Sequence, residues 1–417
     1  MSFNYLMKNK LLNALRLSGP GVLYAAAAVG VSHIVQSTRA GAEFGLGLVW
    51  VVILANLLKY PFFKAGAQYS AVTGKSLLYG YKRLGTWALL LFVLITFMTM
   101  FVIQSAVTVV TSGLTNHIFS IPLSVQTTSV VLLAICSLIL LIGNYGLLDN
   151  LVKVIVAALS LTTVLAVGFS FFGDIEKNAP PVSFNFNNSH HLYFLVALIG
   201  WMPAPLDVPV WQSVWTVAKR KKTKTTVNQT LMDFKVGYIG TAALAVFFLM
   251  LGAIIMYRSG QNFSPKAVPF AAQFIGLYSN ALGSWAMPIV SIAAFLTMFS
   301  TTLTCLDAFS RVMQESMVQL FGHKFSKKDW YIFWLSTTLT GTIVLLFNHL
   351  GSMKELVDFA TTVSFLFTPI FGILILKVMN SNALPPNWRY GKSDKLLGAG
   401  GIILSTILLG YYLSLTS

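Results

Sequence analysis

The chain has 417 residues, of which 56% are hydrophobic and only 10% charged, with a mean hydropathy of +0.75. Soluble folds carry about a quarter of their residues as charges, so this composition excludes an assembly of water-facing domains. The charge is also lopsided, 28 Lys and Arg against 12 Asp and Glu for a formal +16, and only the positions of those charges can separate nucleic-acid binding from membrane topology.

The first eighteen residues hold Lys8, Lys10 and Arg16 but no apolar core of signal-peptide length, so they are read as a retained cytoplasmic lead-in. A helix crossing about 30 Å of hydrocarbon needs about 20 mostly apolar residues. Eleven runs qualify: Pro20–Ala40, Leu46–Gly66, Thr86–Val110, Gln126–Gly143, Leu147–Phe171, Leu192–Val217, Met232–Tyr257, Ala281–Ser310, Trp330–Phe347, Met353–Val378 and Leu396–Leu413. They are too long for barrel strands, and helices are the other way to satisfy a backbone in lipid. The expected fold is an all-α polytopic membrane protein of about 11 transmembrane helices. Cys136 and Cys305 lie far apart inside apolar runs and read as small apolar residues rather than a disulfide framework.

With the N-terminus on the cytoplasmic side, alternate loops should carry the basic residues. That places 23 of the 28 on one side, including Lys59, Lys64 and the run from Lys219 to Lys224; the others are Arg39, Lys177, Arg258, Lys266 and Lys354. The run Lys219–Lys224 therefore reads as an anchor facing anionic lipid headgroups, not as a nucleic-acid patch. The distribution points to a plasma or inner membrane.

Two spans are poor continuous helices. The first has Gly30-Val31-Ser32 near its middle, and the sixth has Pro203, Pro205 and Pro209 within Trp201-Met202-Pro203-Ala204-Pro205-Leu206-Asp207-Val208-Pro209. Proline removes an amide donor and clashes with the preceding turn, and a broken helix in lipid must face protein or a watery cavity. Breaks five spans apart fall in halves of opposite orientation, the pattern of an inverted-repeat transporter with a midplane site. The expected organisation is 1–18 as a cytoplasmic segment, 19–378 as a core of two repeats (about 19–172 and 192–378), and 379–417 as a cytoplasmic loop with span eleven.

An ionisable residue inside a span is a functional candidate, because leaving it in lipid costs several kcal/mol. His33, Gln36, Arg39 and Glu43 follow the first break at offsets of three, three and four, one face of an α-helix. Arg39 and Glu43 read equally as a four-apart pair at the outer end. Asp207 lies in the second break, either capping the following half-helix or facing a ligand. Asp358 shares a helical face with Thr361 and Thr362. Thr96, Thr99, Gln104 and Thr108 in span three are weaker markers, since Thr often bonds its own helix. His190 and His191 have no carboxylate or thiol beside them and make a poor metal site. Trp201, Trp211 and Trp215 suit stacking on a flat ligand or plain packing. Phosphate-binding and hydrolase motifs are missing, so neither enzyme chemistry nor a cofactor is expected.

Ser18-Gly19-Pro20, Ser37-Thr38-Arg39-Ala40-Gly41-Ala42-Glu43-Phe44-Gly45, Leu48 to Lys59 and Thr73-Gly74-Lys75-Ser76-Leu77 resemble the NRAMP metal transporters. The resemblance extends over the chain and is specific mainly in the first 85 residues. It implies a LeuT-like 5+5 inverted repeat with broken helices one and six. It does not carry over the metal site. The family's Asp-Pro-Gly-Asn motif falls on Gly30-Val31-Ser32-His33, and its Met-Pro-His motif on Met202-Pro203-Ala204. The span-three carboxylate that members use in proton transfer is also missing.

That departure resembles an NRAMP-related clade associated with bilins, the linear tetrapyrroles of haem breakdown. The resemblance implies a secondary transporter of an organic molecule, with Gly30, Ser32, His33, Gln36, Arg39, Met202, Ala204, Asp207 and Thr361 around the substrate and no metal held. Arg39 would meet a propionate. His33, Glu43, Asp207 and Asp358 are the candidates for a proton relay. Two alternatives stay open: a divalent-metal transporter with ligands at Met202, His33 and Asp207, and a membrane receptor that binds without transporting.

Overall fold

Apolar runs that cannot hydrogen-bond to lipid close their backbone bonds within themselves, and here they do so as helices. The computed structural model describes residues 20–143, 146–171, 179–222, 225–322, 326–348 and 351–416, and every regular element among them is helical. The first span is α1 (Pro20–Ala28), a π-helical turn (Ser32–Ser37) and α2 (Thr38–Phe44). Then follow α3 (Val49–Thr73), the short α4 (Leu77–Leu84), α5 (Thr86–Ile118), α6 (Val125–Ile142) and α7 (Gly146–Ser170). The sixth span is α8 (Ser189–Gly200) and α9 (Val208–Lys222). The rest are α10 (Val227–Ile255), α11 (Ala267–Leu282), α12 (Ala286–Phe321), α13 (Lys327–Asn348), α14 (Met353–Asn380) and α15 (Lys392–Thr416).

Local chemistry sets the ends. The Ser124 hydroxyl accepts from the Thr127 amide to start α6, and reciprocal capping boxes, Thr226 with Gln229 and Ser352 with Glu355, open α10 and α14. Such caps are worth about 0.5–2 kcal/mol each. Gly74 and Gly143 adopt left-handed backbone at φ 70° and 77° to close α3 and α6, a conformation that a side chain disfavours.

Both expected breaks are present, at residues 29–31 and 201–207. Among the described residues, eight helical stretches are long and apolar enough to cross a membrane. The two halves of span six and the described apolar part of span five (Val154–Ser170) fall short of that length, and the second half of span one runs on into α3. These account for the eleven expected runs. α3 continues to Thr73 beyond the expected Gly66, and α12 to Phe321 beyond Ser310, because buried residues such as Gln68, Ser70, Met313 and Ser316 keep both helices covered there. Two packed helices, α4 and α11, are too short to span and were not expected. Residues 1–18, Lys177, Lys224 and Lys324 lie outside the described residues.

α10 packs along both halves of the first span. A Cβ on Gly41 would run into the Leu249 carbonyl, and one on Gly252 into the Thr38 carbonyl. Gly21 and Gly237 meet in the same way on the other side of the break, where the Gly21 amide also donates to Asp233 Oδ2 at 2.8 Å. Gly41→Ala is therefore expected to destabilise by about 1–3 kcal/mol through overpacking, read as a lower melting temperature in detergent. Gly47→Ala is the control, because nothing lies within 4 Å of that Cβ position.

Candidate functional site

The site grows from the two breaks. After Ala28 the chain turns through Gly30, whose carbonyl accepts from the His33 and Ile34 amides at 3.1 and 2.9 Å. Gly30 sits against α12: a Cβ there would lie 2.9 Å from Thr301 Cγ2 and 3.0 Å from its hydroxyl. In the sixth span α8 stops at Gly200, itself pressed against the Thr361 carbonyl of α14. The Trp201 indole donates to Ser364 Oγ at 2.8 Å, which fixes the start of the break to α14.

Beyond the first break, the π-turn and α2 present a buried polar cluster to α14. The Arg39 guanidinium grips Asp358 with two bonds, Nη1–Oδ1 at 2.6 Å and Nη2–Oδ2 at 3.0 Å. Arg39 Nη1 also donates to Gln36 Oε1 at 3.1 Å. Gln36 Nε2 donates to Asp358 Oδ1 at 3.0 Å and to Thr361 Oγ1 at 3.3 Å. Glu43 is a looser partner, with its Oε1 3.6 Å from Arg39 Nε, and the Phe194 ring of α8 lies 5.0 Å under the guanidinium. Of the two readings of Arg39, the tight partner is thus Asp358, on a different span. A bidentate, hydrogen-bonded geometry is what lets a buried ion pair offset its desolvation.

A second cluster lies at the other break. Asp207 is buried and no other side chain hydrogen-bonds to its carboxylate; the donors it faces are its own amide and that of Val208 at the start of α9. Its charge reaches the Tyr81 hydroxyl of α4 and the Cys305 thiol of α12. The Tyr81 hydroxyl and the Trp211 indole N–H are likewise buried without partners. Trp211, one turn after Asp207, packs its ring at 4.8 Å on Phe309, one turn after Cys305. α9 and α12 therefore run side by side, with Thr301, Cys305 and Phe309 forming a face along both breaks. The Asp207 carboxyl group, the Tyr81 phenol and the Trp211 indole N–H are thus buried polar groups that no other side chain of the protein satisfies.

The remaining sequence candidates are placed elsewhere. His33 turns to α10: Nε2 meets the Thr241 carbonyl at 2.9 Å and Nδ1 the Ser32 hydroxyl at 2.8 Å, while that hydroxyl also donates to the Ala28 carbonyl at 2.7 Å. Facing a carbonyl, Nε2 carries a hydrogen. Met202 is buried in an apolar cluster with Ala40, Leu198 and Leu249, and Ala204 packs in the main core. Among the described residues no three His, Cys, Asp or Glu side chains gather as a metal-binding group. His191 opens α8 and accepts from the Asn185 amide at 3.0 Å. Tyr81, Thr301 and Cys305 were not among the candidates; Tyr81 lies between expected spans, and only its proximity in space marks it.

A helical membrane chain broken in its first and sixth spans fits several transporter families, and the sequence decides among them. Residues 21–416 match the family model described as "Natural resistance-associated macrophage protein-like" (Nramp). The chain belongs to the Nramp family. This Nramp protein is 37% identical over 364 residues to uncharacterized protein PM0681 of Pasteurella multocida (strain Pm70), covering 87% of this chain and 84% of that one. Its fold matches the Eremococcus coleocola manganese transporter, solved with an aromatic bis-isothiourea substituted compound, at a TM-score of 0.71 and 14% identity over 95% of this chain and 85% of that one. It also matches MhsT in complex with L-phenylalanine at a TM-score of 0.65 and 15% identity, over 95% and 98%. At these identities the likeness carries the fold alone, and that fold is the LeuT-like one that the family resemblance implied. The protein is an Nramp-type membrane transporter and not an enzyme.

Proposed function

We propose that this Nramp protein is a secondary transporter of an organic molecule, a bilin, moved by alternating access between the two breaks. The observation that carries this reading is the donor set. Divalent ions need several anionic or imidazole ligands converging on one point. Here the first break supplies Gly30 in place of a carboxylate, His33 is bonded to α10, and the Met202 thioether is enclosed by apolar side chains. Asp207, Tyr81 and Trp211, which no other side chain satisfies, instead suit a conjugated ligand rich in N–H groups, stacking on aromatic faces and donating to a carboxylate.

In this reading Asp207, Tyr81, Trp211, Cys305 and the backbone at Gly30 meet the substrate. Gln36, Arg39, Asp358 and Thr361 form the gate on the side where α2 ends, which opens when the Arg39–Asp358 pair parts and a propionate takes its place. In this reading the N-terminus and that gate lie on opposite sides of an inner membrane, which the distribution of basic residues along the sequence supports. The two repeats, about 19–172 and 192–378, form the moving core.

The second reading, divalent-cation transport, is favoured by the name of the Eremococcus coleocola neighbour, a manganese transporter, and by the buried carboxylate of Asp207 beside Cys305. Proteoliposomes decide between them. Uptake of biliverdin that saturates and is lost in Asp207→Asn, with no manganese flux above empty vesicles, is the expected result. Manganese uptake that Asp207→Asn abolishes, without biliverdin uptake, replaces the bilin reading with the metal one. Saturable biliverdin binding with no flux replaces transport with a receptor.

A further inference from the structure

Lys59 was counted with the inner-side charges, yet it sits near the middle of the 25-residue α3 and is buried. Its ammonium donates to the carbonyls of Ile199 and Gly200 at 2.6 and 3.1 Å. Those are the last two residues of α8, immediately before the second break. Among the described residues no ion pair involves Lys59, and its hydrogen bonds go to the end of a helix.

The C-terminal end of a half-helix carries about half a negative charge on its last carbonyls; here the Ile199 carbonyl also takes the Met202 amide at 3.2 Å, and the ammonium is a second, charged partner beside it. In discontinuous helices such ends, with unwound carbonyls beside them, are where a coupling cation is held. A cationic group at 2.6 Å is therefore the occupant that this position asks for, and the neighbouring helix provides it on a tether. The stem of Lys59 reaches that end along an apolar cleft between α3, α8, α14 and α15, lined by Leu54, Leu195, Phe365 and Leu404. Thr368 and Ser405 also line that cleft, but their hydroxyls donate to Ser364 and Gly401, and the two α8 carbonyls are the groups to which the ammonium bonds.

We propose that the end of α8 is a cation site occupied by the chain's own Lys59 ammonium, in the place an exchangeable monovalent cation would take. It follows that the second break holds its shape without sodium or potassium. The inference rests on the transporter reading only for its meaning in the cycle. Its test reads melting temperature, which does not depend on the substrate carried.

The test compares wild type with Lys59→Ala, Lys59→Met and Lys59→Arg, purified in detergent, in sodium, methylammonium and tetramethylammonium chloride at equal ionic strength. Wild type should melt at the same temperature in all three salts. Lys59→Ala should melt several degrees lower and recover at least half of that loss, saturably, in methylammonium, which fits the vacated space, but not in tetramethylammonium, which does not. Lys59→Arg should stay near wild type, and Lys59→Met, with the stem but no charge, should melt lower. Equal recovery of Lys59→Ala in methylammonium and tetramethylammonium overturns the site, because it reduces the effect to ionic strength. So does a Lys59→Met protein that melts with wild type, since the stem alone would then suffice. Should Lys59→Ala not survive purification, the contrast between Lys59→Arg and Lys59→Met decides: equal melting of the two overturns the proposal.

Discussion

Arg39→Ala is expected to lower stability by about 3–5 kcal/mol, the cost of leaving one member of a buried ion pair without its partner. Asp358 is buried, and both of its oxygens are held by Arg39. Removing the guanidinium strips two charge-assisted bonds and leaves Gln36 as the donor that remains. Arg39→Lys should recover only part of the loss, because an ammonium cannot make the two-pronged contact. Removing both charges, as Arg39→Met with Asp358→Leu, should be milder than either single change. Melting in detergent measures all four proteins. The gate reading adds that the double variant, folded but with no latch between α2 and α14, transports poorly. If it transports like wild type, the pair is a structural tie and not a gate.

Asp207→Asn should have the opposite signature. The carboxylate is buried and no other side chain donates to it, and an amide oxygen of the same shape can accept from the same backbone amides, so the variant should melt at or above the wild-type temperature. Uptake should fall, because a ligand N–H loses a charged acceptor worth about 1.5–3 kcal/mol, roughly a 10- to 100-fold loss of affinity. Stability retained while transport is lost places Asp207 on the ligand. A lower melting temperature with normal uptake would make it a packing residue and remove it from the site.

Much of the architecture was legible in the order of residues. Pro203, Pro205 and Pro209 break a helix by covalent geometry alone, and Gly30-Val31-Ser32 marks the matching break, so both discontinuities fell where expected. Arg39 and Asp358 were each conspicuous as charges inside apolar runs, but 319 positions separate them, and no linear pattern pairs residues so far apart. His33 was placed on the face of Gln36 and Arg39 by α-helical spacing. The π-helical turn at Ser32–Ser37 breaks that spacing, and His33 rotates onto α10 while Gln36 and Arg39 keep to α14. Lys59 was misread for a different reason: a count of basic residues by loop takes no account of depth, and one lysine near the middle of α3 was credited to the cytoplasmic side.

The glycine contacts of α10 have a mechanical consequence. One unbroken 29-residue helix grips α1 at Gly21 and α2 at Gly41, on either side of the discontinuity between them. It acts as a splint. The two halves of the first span cannot swing apart without prising backbone from backbone or bending α10 itself. The second break has a tie of a different kind: α3 holds the end of α8 through the Lys59 ammonium and the start of α9 at Gly66, while α8 is also fastened to α14 by Trp201 and Ser364 and α9 to α4 through Ser213. The first break is thus held backbone against backbone on both sides, whereas the tie across the second includes one long lysine side chain.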